Sequence, residues 1–312
     1  MADERPFTTA PATAGELIDG AKDAYFEVDG VVLHYVEVGE GPLIIFYHGF
    51  PLFWFSFHHQ MSALKGHFRC VAVDGPGINL SSKPQSLEPF KLEQLAAQLD
   101  GLARYLVGDE RFFLVGHDWG GALGWSYAQA YPHRLHRLVV INAPPTNQLL
   151  ELLLNDEEQQ KRSSYMYSMR DGETHRLITE NGAQLMWKNA YAKFRELDHY
   201  TDLHDSVFQH GLAQPGAIDG GINWYRANIP FIDVIAEQHF WPHRHATTST
   251  QSLLIWGEAD DTFVSRFIEA LPRYASNLSV CRLPEVGHTP MLEVPSRVTE
   301  ILLDFLRIET AQ

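Results

Sequence analysis

Short runs of β-branched and aromatic residues alternate along the chain with longer segments of helical period. Eight runs have the length and composition of strands: Tyr25–Phe26, Val31–Val38, Leu43–Tyr47, Arg69–Val73, Phe112–Val115, Leu138–Ile141, Leu253–Trp256 and Ser279–Leu283. Several of these runs are apolar almost without interruption, which is typical of strands buried on both faces of a sheet. The alternation predicts an α/β fold in which helices flank a mostly parallel, eight-stranded sheet.

Two helices are predicted from apolar residues spaced three and four positions apart. The first has one apolar face through four turns, made of Leu92, Leu95, Ala96, Leu99, Leu102, Ala103 and Leu106. The second repeats the pattern near the C-terminus with Val298, Ile301, Leu302, Phe305 and Leu306. Both faces are suited to packing and carry no chemistry.

The strand pattern stops between Pro144–Pro145 and Trp241–Pro242, where Glu, Gln, Lys, Met, Tyr and Trp occur at helical spacing. Because the pattern resumes at Ser252, we expect an inserted helical cap. Ligands of such sheets bind beyond the carboxyl ends of the strands, so the cap would enclose a pocket there. The predicted division is a loosely ordered segment of residues 1–20, a core of residues 21–146 and 246–312, and a cap of residues 147–245.

Charge and composition limit the function classes. The chain has 312 residues, with 24 Lys and Arg against 39 Asp and Glu, and its formal net charge of −15 repels phosphate backbones and anionic lipid surfaces. Its apolar fraction of 45% is that of an ordinary globular protein. The first residues lack the features of a secretion signal, and no run is long enough to span a bilayer. We expect a soluble, cytoplasmic protein that binds no nucleic acid and has no membrane span.

Neither the cysteines nor the histidines indicate a metal or cofactor site. Cys70 and Cys281 lie in apolar, strand-like runs and are expected to be small buried side chains without a disulfide. His239, His243 and His245 have spacings that could ligate a metal, but no Asp, Glu or Cys accompanies them in a known pattern. We therefore expect no metal and no cofactor.

The strongest chemical signal is the segment Gly116-His117-Asp118-Trp119-Gly120, which follows an apolar strand and precedes a helix. Glycines flank the centre because a sharp strand-to-helix turn leaves no room for larger side chains. Ser is usual at the centre of this turn, and here the residue is Asp118. A carboxylate can attack an electrophilic carbon and form an ester, but it cannot replace Ser in ordinary ester or amide hydrolysis. The motif predicts alkyl transfer to Asp118, the alternative being an Asp that only caps a helix.

A second loop supplies donors for a negatively charged intermediate. The segment His48-Gly49-Phe50-Pro51 follows the third predicted strand. The backbone N–H of Phe50, together with that of Trp119 after the nucleophile, would form an oxyanion hole.

The last two strands are followed by an acid and a histidine. Asp260 and His288 come after Asp118 in the chain order nucleophile, acid, histidine, with an insertion between the first two. His288 is predicted to be the base and Asp260 the carboxylate that orients it, with Asp261 as the alternative acid.

The pairing of His48-Gly49-Phe50-Pro51 with the Asp118 motif resembles the soluble epoxide hydrolase branch of the α/β-hydrolase superfamily, and the resemblance covers nearly all of residues 25–308. It implies an α/β-hydrolase fold and conversion of a small hydrophobic epoxide and water to a vicinal diol, through a covalent ester on Asp118. It also implies two cap tyrosines that hydrogen-bond to the departing oxygen. The segment Gly220–Arg226 is similar to the second tyrosine motif and points to Tyr225. Tyr165 is the best match to the first, with Tyr167 as its competitor.

Two other functions stay open beside this one. Haloalkane dehalogenases share the Asp-Trp turn but typically carry Asn where this chain has Phe50, and haloacetate dehalogenases carry Arg where it has Trp119. A haloalkane dehalogenase would use Trp119 and either Trp187 or Trp224 as halide donors. The third hypothesis is a non-catalytic receptor for a small hydrophobic ligand. The loop Asp74–Ser81 lacks the Arg and Tyr usual in relatives, so we expect this loop next to the pocket to differ from theirs. Assembly into a homodimer stays open.

Overall fold

In a computed structural model, which describes residues 13–236 and 240–307, the chain forms one eight-stranded sheet. The strands are β1 (Lys22–Val28), β2 (Val31–Val38), β3 (Leu43–Tyr47), β4 (Arg69–Val73), β5 (Phe112–His117), β6 (Leu135–Ile141), β7 (Ser252–Gly257) and β8 (Leu278–Leu283). Their spatial order is β1-β2-β4-β3-β5-β6-β7-β8. Pairs β1·β2 and β2·β4 are antiparallel, and all other pairs are parallel. The predicted α/β architecture is confirmed.

Helices cover the sheet and fill the segment between β6 and β7. In the described residues they are α1 (Ala14–Leu17), α2 (His58–Leu64), α3 (Leu92–Val107), α4 (Trp119–Ala130), α5 (Thr146–Asn155), α6 (Glu157–Arg162), α7 (Ser164–Arg170), α8 (Gly172–Asn189), α9 (Asp202–Leu212), α10 (Ala217–Asn228), α11 (Ile232–Ile235), α12 (Pro290–Glu293) and α13 (Pro295–Leu306). Short 3-10 turns lie at Trp54–Phe57, Glu88–Phe90, Pro132–Arg134, Ala192–Glu196 and Ser265–Arg273. The two predicted amphipathic helices are α3 and α13, and their leucine-rich faces are buried.

The central strands are buried along their whole length, and the edge strand is not. Every residue of β3, β5 and β7 is buried, as the continuous apolar runs predicted. β8 lies at the edge, and most of its residues are partly or fully exposed. For this reason Cys70 on β4 is buried as expected, whereas the expectation for Cys281 on β8 is wrong, because its side chain is only partly buried.

The predicted N-terminal segment of residues 1–20 is described in part. It contains α1, whose Ala14 is buried in the core together with the following Ile18. Residues 1–12 lie outside the described part of the chain, as does His239 of the histidine trio. The segment predicted to be helical contains α5 to α11. None of the described helices is both long and apolar enough to cross a membrane.

A buried ion pair ties β2 to the loop after β4. His34 lies with Nδ1 2.7 Å from Asp74 Oδ2 and Nε2 3.0 Å from Asp23 Oδ1. Burial alone would lower the pKa of the His34 ring, but the hydrogen bonds to both carboxylates outweigh burial and raise it to about 9. The backbone N–H of Trp54 donates to the other oxygen of Asp74 at 2.8 Å. A charged His34 therefore helps to hold the loops beside β3 and β4.

We expect this imidazolium to make the free energy of unfolding fall at alkaline pH. A histidine whose pKa is raised in the folded chain contributes stability that is complete below its unfolded pKa of about 6.5. That stability is lost as the pH rises through the folded value of about 9. Denaturant unfolding at pH 6 and pH 10 should show a smaller loss for His34→Gln, which cannot carry the charge, than for the parent chain. Equal losses would mean that His34 is neutral throughout.

Candidate active site

Asp118 occupies a strained turn between β5 and α4. Its backbone has φ 51° and ψ −117°, a conformation that a residue with a side chain rarely adopts. The backbone before Asp118 lies very close to the first turn of α4, because a Cβ on Gly116 would lie 2.1 Å from the Gly120 carbonyl oxygen. A Cβ on Gly120 would in turn lie 2.0 Å from the Tyr47 carbonyl oxygen. The two glycines are required by the turn that presents the Asp118 carboxylate beyond the end of β5.

The Asp118 carboxylate is buried and held by backbone donors. Its Oδ1 accepts a hydrogen bond from the Phe50 N–H at 3.1 Å. Gly49 makes this approach possible, since a Cβ there would lie 2.2 Å from the same oxygen. Burial would raise the pKa of Asp118, but the nearby His288 and the Trp119 N–H outweigh burial and lower it. The side chain is therefore an ionised carboxylate, with Oδ1 at the predicted oxyanion hole.

His288 follows β8 and lies between two carboxylates, Asp118 after β5 and Asp260 after β7. Its Nδ1 is 2.8 Å from Asp260 Oδ2, and its Nε2 is 3.6 Å from Asp118 Oδ2. Asp261, the alternative acid, is exposed beside the cavity. Burial would lower the pKa of His288, but Asp260 and Asp118 outweigh it and raise the pKa to about 10. The resting imidazole is thus protonated while both carboxylates are charged.

Asp260 is fixed by donors on every side, one of which the sequence analysis missed. The backbone N–H of Thr262 donates to Oδ1 at 2.6 Å, and the Asn142 side chain donates to Oδ2 at 2.7 Å. Asn142 also accepts from the Gly257 N–H at 2.9 Å, so it joins the ends of β6 and β7. Burial raises the pKa of Asp260, and His288 with these donors overcomes that effect and lowers it. The available signal was the position of Asn142 directly after a buried strand.

A cavity of about 420 Å³ brings the predicted cap tyrosines to the nucleophile. Its lining includes Asp118, His288, Tyr165 and Tyr225. The Tyr225 ring packs edge-on against Trp119 at 5.0 Å and against Tyr165 at 6.1 Å, between ring centroids. Burial first, and then the charge of Asp118, raise the pKa of both phenols. Both hydroxyls are therefore protonated and can donate into the cavity.

The alternative candidates for these roles have other partners. The Tyr167 hydroxyl donates to the Pro230 carbonyl at 3.3 Å. The indole N–H of Trp187 donates to Asp205 at 2.8 Å, and that of Trp224 donates to the Pro76 carbonyl at 3.0 Å. Each indole that a halide site would need beside Trp119 is thus bound to a protein acceptor.

The atypical loop Asp74–Ser81 packs directly beneath the cap helix that carries Tyr225. The Gly75 N–H donates to His48 Nε2 at 3.0 Å, which links the loop to the oxyanion segment. A Cβ on Gly77 would lie 2.6 Å from the Cα of Gly220 in α10. The small residues of this loop let α10 approach the sheet closely, a contact that larger side chains would prevent.

Comparisons with known proteins identify the family of the chain. The family model described as alpha/beta hydrolase fold matches residues 42–295. Epoxide hydrolase 4 of Mus musculus is 31% identical over 297 residues, which cover 90% of this chain and 78% of that protein. Epoxide hydrolase 3 of Mus musculus is 30% identical over 285 residues, covering 89% and 74%. The crystal structure of a Bacillus megaterium epoxide hydrolase with an inhibitor is 28% identical, with a TM-score of 0.82, and the match covers 91% of this chain and 99% of that one.

We expect the turn at Asp118 to tolerate no side chain at Gly116. The added Cβ of Gly116→Ala would meet backbone atoms at 2.1 Å, so the turn must open. Urea unfolding should show a loss of about 3 kcal/mol or more, among the largest effects of single substitutions. Gly66→Ala is the matched control, because its Cβ would have nothing within 4 Å, and it should stay within about 0.5 kcal/mol of the parent. Similar stability of the two variants would contradict the steric account.

Proposed function

The chain belongs to the epoxide hydrolases of the α/β-hydrolase superfamily, and on that premise we propose that it opens epoxides through a covalent ester on Asp118. The observation that carries the proposal is that an ionised carboxylate and two protonated tyrosines line one cavity. Nucleophile and proton donors on opposite sides of a substrate are what ring opening requires. In this proposal the cap of residues 147–245 supplies the donors and the core supplies the nucleophile.

In the first step, Asp118 Oδ2 attacks the less hindered epoxide carbon. Oδ1 is held by the Phe50 amide at 3.1 Å, which leaves Oδ2 as the attacking oxygen. The C–O bond of the epoxide breaks as the ester bond forms, and the departing oxygen takes a proton from Tyr165 or Tyr225. Since an alkoxide is far more basic than a phenolate, the raised pKa of these phenols does not prevent the transfer.

In the second step, water hydrolyses the ester. His288 Nε2 removes a proton from a water molecule, which attacks the carbonyl carbon of the ester. The negative charge develops on Oδ1, where the N–H groups of Phe50 and Trp119 stabilise it. Collapse of the intermediate breaks the ester C–O bond, and the departing alkoxide takes the proton of the new carboxyl group, which returns the Asp118 carboxylate and releases a vicinal diol. The tyrosine that gave up its proton in the first step regains one from solvent.

The first step also prepares the base for the second. The charge of Asp118 is one of the causes that raise the pKa of His288. The ester is neutral, so its formation removes that charge and lowers the pKa of the imidazole, which releases its proton to solvent. Asp260 keeps the ring oriented at 2.8 Å throughout. His288 thus becomes a base only after the nucleophile has reacted.

The structure favours this reaction over dehalogenation. A halide is a weak base and leaves with N–H stabilisation alone, whereas an alkoxide needs a proton. The indole N–H groups of Trp187 and Trp224 donate to protein acceptors, while two phenols line the cavity together with Asp118. A receptor without activity would form no diol, and a product assay with an aryl epoxide tests that directly.

The role of His288 predicts that His288→Gln accumulates the ester. Attack by Asp118 needs no base, but hydrolysis of the ester does. Mass spectrometry of the intact variant after mixing with an aryl epoxide should show a protein heavier by one substrate. Asp118→Asn, which lacks the nucleophile, is the control and should gain no mass. Normal turnover by His288→Gln would contradict the assignment.

The cap tyrosines are predicted to act in the first step only. Tyr225→Phe or Tyr165→Phe removes one hydroxyl, and losing such a donor costs on the order of ten- to a thousandfold in rate. Rapid-mixing kinetics should show slower ester formation, unchanged ester hydrolysis and a larger defect in the double variant. Tyr167→Phe is the control, because its hydroxyl bonds to Pro230 outside the cavity lining. Parental rates in both single variants, together with halide release from haloalkanes, would favour the dehalogenase.

A further inference from the structure

A cluster of three histidines lies where the segment between β6 and β7 meets the core, away from the proposed catalytic residues. His58 and His59 begin α2, which packs on the core, and His204 lies in α9. A ring nitrogen of each lies within 4.8 Å of those of the other two. We call these three residues the histidine cluster. Spacing along the chain gives no sign of it, because 146 residues separate His58 from His204.

The separation of the ring nitrogens suits one metal ion. The Nε2 atoms of His58 and His204 are 3.0 Å apart. In a tetrahedral site with metal–nitrogen bonds of about 2.0–2.1 Å, two ligand nitrogens lie roughly 3.3 Å apart. The pair therefore needs to open by only a few tenths of an ångström. His59 is partly exposed, and one of its ring nitrogens lies within 4.8 Å of those of the other two, so it can supply the third nitrogen, with water as the fourth ligand.

Outer hydrogen bonds fix the tautomers of two of the rings, and the His58 ring already has the tautomer that metal binding requires. His58 Nδ1 lies 2.6 Å from the Phe55 carbonyl oxygen, so Nδ1 carries the proton and Nε2 has the lone pair. His204 Nδ1 accepts from the Thr201 N–H at 3.1 Å, which leaves its Nε2–H to donate to His58. The Thr201 hydroxyl oxygen is 2.7 Å from the same Nδ1. When a metal takes Nε2, the His204 proton can move to Nδ1 and be donated to that hydroxyl, and the Thr201 N–H then loses Nδ1 as its acceptor.

We propose that His58, His59 and His204 bind one divalent transition-metal ion, of the class that prefers imidazole ligands, such as Zn²⁺. The ion would join α9 to α2. Since α9 also packs through Phe208 against Tyr191, which lines the active-site cavity, the metal would stabilise the closed arrangement over the proposed site. It would take no part in the reaction, because the cluster lies outside the residues that line the cavity.

The test is equilibrium dialysis of the metal-stripped full-length chain against Zn²⁺. We expect one ion per chain and a Tm that rises with zinc concentration. Replacing even an outer partner of a metal ligand weakens binding about ten- to a hundredfold, so His59→Asn and His204→Asn should raise the Kd at least that much. In the parent, Co²⁺ should give the visible absorption of a tetrahedral site, and in both variants this signal should be lost.

The matched control is the double variant His243→Asn and His245→Asn, which removes two other neighbouring histidines. It should bind zinc and respond in Tm like the parent chain. The proposal is wrong if the parent binds no zinc, if both cluster variants retain parental affinity, or if the control alone loses the ion. His204 hydrogen-bonds to Thr201 at the N-terminus of α9, so His204→Asn could fold poorly. His59→Asn keeps the test interpretable in that case, because His59 is partly exposed.

Discussion

A carboxylate that is to act as a nucleophile must stay ionised although protein surrounds it, and burying a charge is costly unless donors and opposite charge compensate. Asp118 meets this requirement through the Phe50 and Trp119 amides and the His288 ring. The amides can converge only because the backbone at Asp118 is strained and because Gly49 has no side chain. The sharp turn, the close packing of β3 against β5 and the glycines around them all serve this one group.

The same charge organises the residues around it. With Asp118 and Asp260 both ionised, His288 holds a proton between them, and the three side chains balance at one negative charge. Asn142 and the Thr262 amide keep Asp260 charged and in place. When the proposed ester forms, Asp118 alone loses its charge, and the proton affinity of His288 falls. The order of the two chemical steps therefore follows from electrostatics and requires no conformational change.

The features that could be predicted from the sequence are those fixed by local constraints. The strands follow from apolar runs, and the turn at Asp118 follows from glycines two residues to either side. The features that could not be predicted depend on contacts between residues that are far apart in the sequence. Asn142 acts on a residue 118 positions away, and Tyr165 differs from Tyr167 only in which face of α7 meets the cavity. The partial exposure of Cys281 likewise reflects the place of β8 at the sheet edge, which an apolar run does not reveal.

The central claim is that water attacks the enzyme and not the epoxide, and one turnover in heavy-oxygen water tests it most directly. With enzyme in excess over an aryl epoxide, the account predicts that the label enters the Asp118 carboxylate, because water attacks the ester carbonyl. Mass spectrometry of the peptide containing Asp118 should show the added mass, and the diol from that turnover should be unlabelled. A labelled first-turnover diol with an unlabelled peptide would mean that water opens the epoxide directly, which would contradict the covalent mechanism.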